Sequence, residues 1–391
     1  MKGLAICSKG IEDICATELK ELINARTKLE EGAVIFSFNK WEDLFLLCYK
    51  AQSVDKILLL FDYFRFKEDL FERLESAIKK ANIGYWIDEK TRFRVSCKKT
   101  NRNKNILSEE ILSKTGSFII NKIKETKKFK PKVDLEDPDL IFFVFINSKD
   151  TCFFGLDFSG TELNKRDYKI FSHRGSLRGT IAYSLVRIAK VKENEVLLDP
   201  FCRSGEIPIE SAIFLTSFPV NYFSKNKLLF LRFRPFKNFN FENFFSRVDN
   251  KIKKLKKTFI NCFDSDLRNI TAAKKNAKIA GINKIINFSR LDLEWLDTKL
   301  SRGSIDKIIT HPIEFSKNKD VKAVEKIYRE FFYQAEFILK RDGKIVIIFR
   351  KKESFDLLEK CASEYGFIVI GGRTVYCGKE PFTVSVFEKI K

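Results

Sequence analysis

Four stretches of the chain end an apolar run with a residue able to hold or move a proton. "LLDPFCRSGEIPIE" places Asp199 at the end of one run, followed by Phe201, Arg203 and Gly205. "NCFDSD" places Asp264 just past a second, "SRLDLEW" places Asp292 past a third, and "IITHPIEF" places His311, Pro312, Glu314 and Phe315 past a fourth. An acid after the second strand of such a series suits a ribose diol. A third acid suits an adenine amino group, and a glycine turn lets a ligand approach the backbone. Each aspartate alone is equally a cap or turn residue. The ordered set describes an adenosine-type cofactor. Arg203 stands out, because a close ligand favours a residue without a side chain there; its side chain either fills the pocket or turns outward to phosphate.

The elements that carry these residues follow from periodicity. From Leu177 onward the pattern alternates. A helix over 177–189 precedes the strand ending at Asp199, and strands are expected at 260–263, 285–289 and 305–310. Helices are expected through "NITAAKKNAKIAG", over 321–339 and over 354–365, with "GKIVIIF", "FIVIGGR" and "TVSVFE" as further strands. Such a βαβ rhythm builds a mostly parallel, doubly wound sheet, and ligands bind at the carboxyl ends of its strands. Ahead of it lies an α+β region. Strands are expected at 4–7, 33–38, 55–64, 91–100, 140–146 and 152–158, and helices at 11–23, 40–51, 69–82 and 108–126. In "TRFRVSCKKT", Phe93 and Val95 alternate with Arg92, Arg94 and Ser96, as in a half-buried strand with cations outward. "NRNKN" continues the positive charge. Arg94, Lys98, Lys99 and Arg102 are the expected RNA-facing residues.

The 391 residues carry 73 Lys and Arg against 52 Asp and Glu, a net charge of +21. That excess attracts polyanions, nucleic acid first. The segment 216–257 interleaves Phe with Lys and Arg. Such a pattern serves RNA stacking, or it covers a core while the lysines stay wet. No apolar run approaches the roughly 20 residues of a membrane helix, and the N-terminus meets acidic residues too early for a secretory signal. Nine scattered cysteines without a CxxC pair, and only two histidines, argue against a metal site and for reduced thiols in the cytoplasm.

Over essentially its whole length the chain resembles the THUMP-domain RNA methyltransferases. The likeness rests on "RFRVSCKKT", "VDLEDPDLIFFVFINSKDTCFFGLDFSG", "LNKRDYKIFSHRGSLRGTIAYSLVRIA", "LLDPFCRSGEIPIESA" and "DSDLRNITAAKKNAKIAGI". Within that family the chain is most similar to the archaeal and bacterial tRNA guanine-N2 methyltransferases. The resemblance implies an α/β fold: a ferredoxin-like module over 1–64, a THUMP RNA-binding domain over 65–160, a linker over 161–178, and a Rossmann-like methyltransferase domain over 179–391 interrupted by the basic, Phe-rich insertion 216–257. It implies S-adenosylmethionine as cofactor, tRNA as partner and no metal or membrane, and we expect a monomer. It implies that Asp199, Phe201, Arg203 and Gly205 shape the cofactor loop, Asp264 holds the ribose and Asp292 the adenine. His311 and Pro312 present an exocyclic base amine, with Glu314 and Phe315 beside them. Two departures fall on the chemistry: the family has glycine at position 203, and Asn or Asp, then Pro or Leu, then Pro, then an aromatic from position 311. A second reading is therefore a catalytically degenerate tRNA-binding paralogue. A third is altered chemistry with His311 as acid or base.

Overall fold

The computed structural model describes residues 1–101, 106–254, 259–315 and 320–390. It divides into two compact units. The first contains 1–7, 15–163 and 221–250; the second contains 8–14, 164–220 and 251–391.

The first unit is built on one eight-stranded sheet. Its strands are β1 (Lys2–Cys7), β2 (Thr27–Glu30), β3 (Ala33–Ser37), β4 (Val54–Arg65), β5 (Arg92–Lys99), β6 (Lys132–Val133), β7 (Leu140–Ile146) and β8 (Thr151–Asp157). They run in the order β2-β3-β1-β4-β8-β7-β5-β6. The sheet continues across position 64, the expected module boundary, because β4 pairs antiparallel with β8 from Leu58↔Asp157 to Arg65↔Thr151. At twelve residues β4 is long enough to pair with β1 through its first half as well. Every residue of β7 and β8 is buried, which is why "LIFFVFI" lacks the alternation of a one-sided strand.

The insertion gives its phenylalanines to this unit. Phe230, Phe233 and Phe236 are buried. Phe230 stacks on Phe45 at 4.6 Å and Phe236 meets the same ring edge-on at 4.9 Å. Phe233 packs against Phe158 at 5.0 Å and Trp86 at 5.7 Å. Such pairs add about 0.5–1.5 kcal/mol each beyond the area they bury. Of the two uses open to this segment, these rings take core packing. Residues 221–250 thus cluster with the first unit, although the chain enters them from the second.

The second unit holds β9 (Leu197–Asp199), β10 (Ile260–Asp264), β11 (Ile286–Arg290), β12 (Ile305–Thr310), β13 (Leu339–Phe349), β14 (Phe367–Cys377) and β15 (Glu380–Lys389), in the order β11-β10-β9-β12-β13-β15-β14. The first five are parallel, and β15 is antiparallel to both neighbours. The order reverses at β9. Its successor β10 lies on one side and β12 on the other, which makes their carboxyl ends the place where sheets of this kind take a ligand.

Candidate active site

The loop after β9 turns into the helix Glu206–Thr216, with Gly205 at the N-cap and φ +86°. A Cβ on Gly205 would sit 2.9 Å from the Ala273 Cβ and 3.2 Å from its Cα. Glycine is therefore required twice over, by backbone angle and by packing. Pro208 falls in the first turn, where an amide N–H has no helical partner to lose. Behind the loop, Arg166 forms a buried double contact with Glu210, Nε–Oε1 2.8 Å and Nη2–Oε2 3.2 Å, and the Tyr168 hydroxyl donates to the same carboxylate at 2.8 Å.

The strand-end acids gather here. Asp199 is buried, and its Oδ1 accepts from the Thr310 hydroxyl at 2.6 Å and from the Phe201 amide at 3.2 Å. Burial raises its pKa to about 7. Asp264 accepts from the Arg203 amide at 3.0 Å, the Asp266 amide at 2.9 Å and Asn269 Nδ2 at 3.0 Å. Leu291 N donates to the Asp264 carbonyl at 3.0 Å, which brings the end of β11 alongside. Asp292 follows it and is exposed.

Arg203 turns inward. Its backbone is left-handed, φ +50°, a region non-glycine residues rarely occupy. Its Nη1 donates to the Gly175 carbonyl at 2.8 Å and to His311 Nδ1, and its Nη2 donates to the Pro312 carbonyl at 2.9 Å. On the other side of the imidazole, His311 Nε2 lies 3.2 Å from Glu314 Oε1. Glu314 Oε2 accepts from the Arg350 and Lys351 amides, each at 3.0 Å. A guanidinium only donates, so Nδ1 is the acceptor and Nε2 carries the proton. Burial lowers the His311 pKa to about 4, and the ring is neutral at pH 7. Burial acts to raise the Glu314 carboxyl, but the hydrogen bonds from His311 and the backbone outweigh it and leave the group below its ordinary value.

The structure thus brings together Asp199, Arg203, Gly205, Asp264, His311, Pro312 and Glu314. Phe201 and Phe315 are partly buried against the hydrophobic core of this unit. Thr310, Ser176, Ser204, Asn269 and Asn276 also belong to the site and were not expected. Ser176 and Ser204 share a hydrogen bond of 2.6 Å. Asn276 Nδ2 donates to the Ser204 carbonyl at 3.0 Å. Asn276 is fully buried in the last turn of the helix Leu267–Ile279. An amide at an interior helical position was the legible signal, since asparagine is unfavourable there unless its side chain is used.

The cations of β5, in the other unit, are engaged locally. Lys98 Nζ lies 2.9 Å from the buried Asp55 carboxylate, which needs a partner. Arg94 Nη1 donates to the Leu135 carbonyl at 2.9 Å, and Lys99 Nζ to the Ile106 carbonyl. Arg102 lies outside the described residues. Among the described residues no three His, Cys, Asp or Glu gather as a metal-binding group. None of their helices is long and apolar enough to cross a membrane.

A pH dependence follows from Asp199. Folded Asp199 keeps its proton up to about pH 7, against about 3.9 in an unfolded chain. Folding therefore takes up a proton between those values. Stability falls as pH rises through that window, by at most about 1.4 kcal/mol per unit, and the loss is complete above the folded value. Denaturant midpoints should fall between pH 5 and pH 7, and Asp199→Asn should flatten that fall. An equal slope in both proteins would exclude Asp199 as its source.

The family described as "RMKL-like, methyltransferase domain" matches residues 166–377, and "THUMP domain" matches residues 68–157. A protein of Methanocaldococcus jannaschii named tRNA (guanine(6)-N2)-methyltransferase is 27% identical over 355 residues, covering 89% of this chain and 90% of its own length. A protein of the same name from Archaeoglobus fulgidus is 26% identical over 351 residues, covering 88% and 82%. The crystal structure of SMU.472 complexed with SAH superposes with a TM-score of 0.81 at 20% identity, covering 100% of this chain and 98% of its own, a likeness of fold. With more than half its length matched, the chain belongs to the RMKL-like methyltransferase family and carries a THUMP domain ahead of the methyltransferase domain.

Proposed function

We propose that the protein is a tRNA methyltransferase that uses S-adenosylmethionine to methylate the N2 amine of a guanine in the acceptor stem, working in the cytoplasm. The observation that carries this reading is the meeting of the carboxyl ends of β9, β10 and β12 at the point where the strand order reverses. It sets a glycine-turned loop and Asp264 beside two acceptors, His311 Nδ1 and the Pro312 carbonyl. The activity named for relatives matching along nearly 90% of the chain supports the substrate.

The donor set suits the nucleoside half of the cofactor. Asp264 stands at the end of the strand next to β9, where a carboxylate takes a ribose diol, and exposed Asp292 is free to meet an adenine amine. Asp199, Phe201 and Gly205 shape the loop. When bound, the cofactor would supply an electrophilic methyl carbon and depart as S-adenosylhomocysteine as its C–S bond breaks, the base nitrogen's displaced proton passing to solvent. The protein's part is to orient the amine and exclude water. Pro312 and His311 accept from the base edge that carries the amine, Glu314 fixes the His311 tautomer, and Phe315 lies next to the motif as an aromatic face for the base. Arg94, Lys98, Lys99 and Arg102 are assigned to the tRNA backbone only through the overall positive field.

The test is calorimetric titration with S-adenosylmethionine, with and without total tRNA, followed by nucleoside analysis of the tRNA after incubation. Cofactor binding and new N2-methylguanosine are expected, with tRNA affinity falling steeply with salt because the net charge is +21. No cofactor binding in either condition would leave the tRNA-binding paralogue as the account.

A further inference from the structure

Three of the side chains at this site that differ from what the resemblance implies form one hydrogen-bonded chain: Arg203 to His311, His311 to Glu314, and Glu314 to the amides of Arg350 and Lys351. The head of that chain is a guanidinium. It is a planar N–C–N fork that only donates. One edge of guanine has the same form: the ring N1–H, the C2 carbon and the exocyclic amine are also a planar N–C–N fork of donors. Both make the same demand on a pair of acceptors.

Resting on the guanine-N2 reading, we propose that Arg203 is an internal surrogate for the target base, seated on the acceptors His311 Nδ1 and Pro312 O that the guanine edge takes when RNA is bound.

The chemistry of the seat supports this. The head group is held by two carbonyls and a neutral ring nitrogen. A neutral base edge can take over such partners without breaking an ion pair. Burial also lowers the guanidinium's pKa, the sign of a charge held at a cost. Both imidazole nitrogens are engaged while Arg203 is in place, so His311 can meet an amine only after the guanidinium leaves. The exit is coupled to the linker. The turn at residues 173–176 contacts Arg203 through the Gly175 carbonyl, and holds the adjacent Ser204 through the His173 amide and the Ser176 hydroxyl.

The test compares the full-length protein with Arg203→Gly. Glycine accepts a φ of +50° without strain, so the variant should fold. Arg203→Lys, which keeps the charge and loses the fork, is a second variant expected to act in the same direction. The first readout is the imidazole 15N spectrum, in which His311 has only His173 to be distinguished from. Removing Arg203 should shift the His311 Nδ1 resonance and raise the ring's titration midpoint. The second readout is binding of guanosine 5′-monophosphate, with adenosine 5′-monophosphate as comparison. Arg203→Gly should bind the guanine nucleotide at least tenfold more tightly than the parent, about 1.4 kcal/mol, with no such gain for the adenine nucleotide. Equal guanine-nucleotide affinity in the two proteins, or an unchanged His311 spectrum, would overturn the surrogate. Methyl transfer from S-adenosylmethionine to total tRNA separates the two claims. Transfer without the nucleotide gain sinks the surrogate and keeps the methyltransferase. The gain without transfer in either protein supports the base-edge seat and sinks the methyltransferase.

Discussion

Arg166→Ala is expected to destabilise the second unit by about 3–5 kcal/mol, measured as a loss in denaturant midpoint. Arg166 and Glu210 are both almost fully inaccessible, and their side chains meet along two parallel contacts. Removing the cation takes from the buried carboxylate its charged partner, while the neutral Tyr168 hydroxyl still donates to it. The packing has been built around the pair. A Cβ on Gly179, at the start of the helix Gly179–Ile188, would lie 2.5 Å from both Arg166 Nε and Glu210 Oε1. The loss is mainly that of the buried carboxylate's charged partner, so Arg166→Met combined with Glu210→Leu should cost less than Arg166→Ala alone. A single-variant loss below about 1 kcal/mol would show that the carboxylate finds another partner.

Asp264→Ala is expected to weaken S-adenosylmethionine binding by a hundredfold or more, about 2.7 kcal/mol. Besides the ribose role proposed for it, the carboxylate joins three separate pieces: the amide of Arg203, the amide of Asp266 and the side chain of Asn269. Alanine leaves those donors without their acceptor, and each hydrogen bond to a charged group is worth roughly 1.5–3 kcal/mol. Asp264→Asn, which keeps one acceptor oxygen, should lose less. Affinity within threefold of the parent in Asp264→Ala would remove Asp264 from the cofactor site.

These two residues also mark what the sequence could and could not disclose. Asp264 was legible because it follows a short apolar run, and in a parallel sheet every such run delivers its next residue to the same edge. The same logic located Asp199, Asp292 and His311. Arg166 and Glu210 were not legible as a pair, since a charge in the linker and another inside an apolar helix carry no mark of meeting. Arg203 and His311, 108 positions apart, were each visible as oddities, but their hydrogen bond exists only through the lateral pairing of β9 with β12. The strand β2 was missed because "TKLE" is a short edge strand with two exposed residues, held by backbone pairing with β3 rather than by an apolar face. The β4–β8 pairing that makes one sheet of two expected modules is long-range and leaves no local pattern. Among the basic residues of β5, alternation told which faced away from Phe93. It did not tell that Asp55, far off in the chain, would claim Lys98.

The threading of the insertion has a consequence for how the protein is made. The first unit receives residues 221–250 only after the chain has spent 164–220 in the second. A ribosome that has released residue 163 has delivered the whole eight-stranded sheet, yet Phe45, Trp86 and Phe158 still await Phe230, Phe233 and Phe236. The nascent sheet therefore carries an uncovered aromatic face while the next stretch of chain is translated, at some 5–20 residues per second. That interval of several seconds is when a chaperone that recognises aromatic surface has its opportunity.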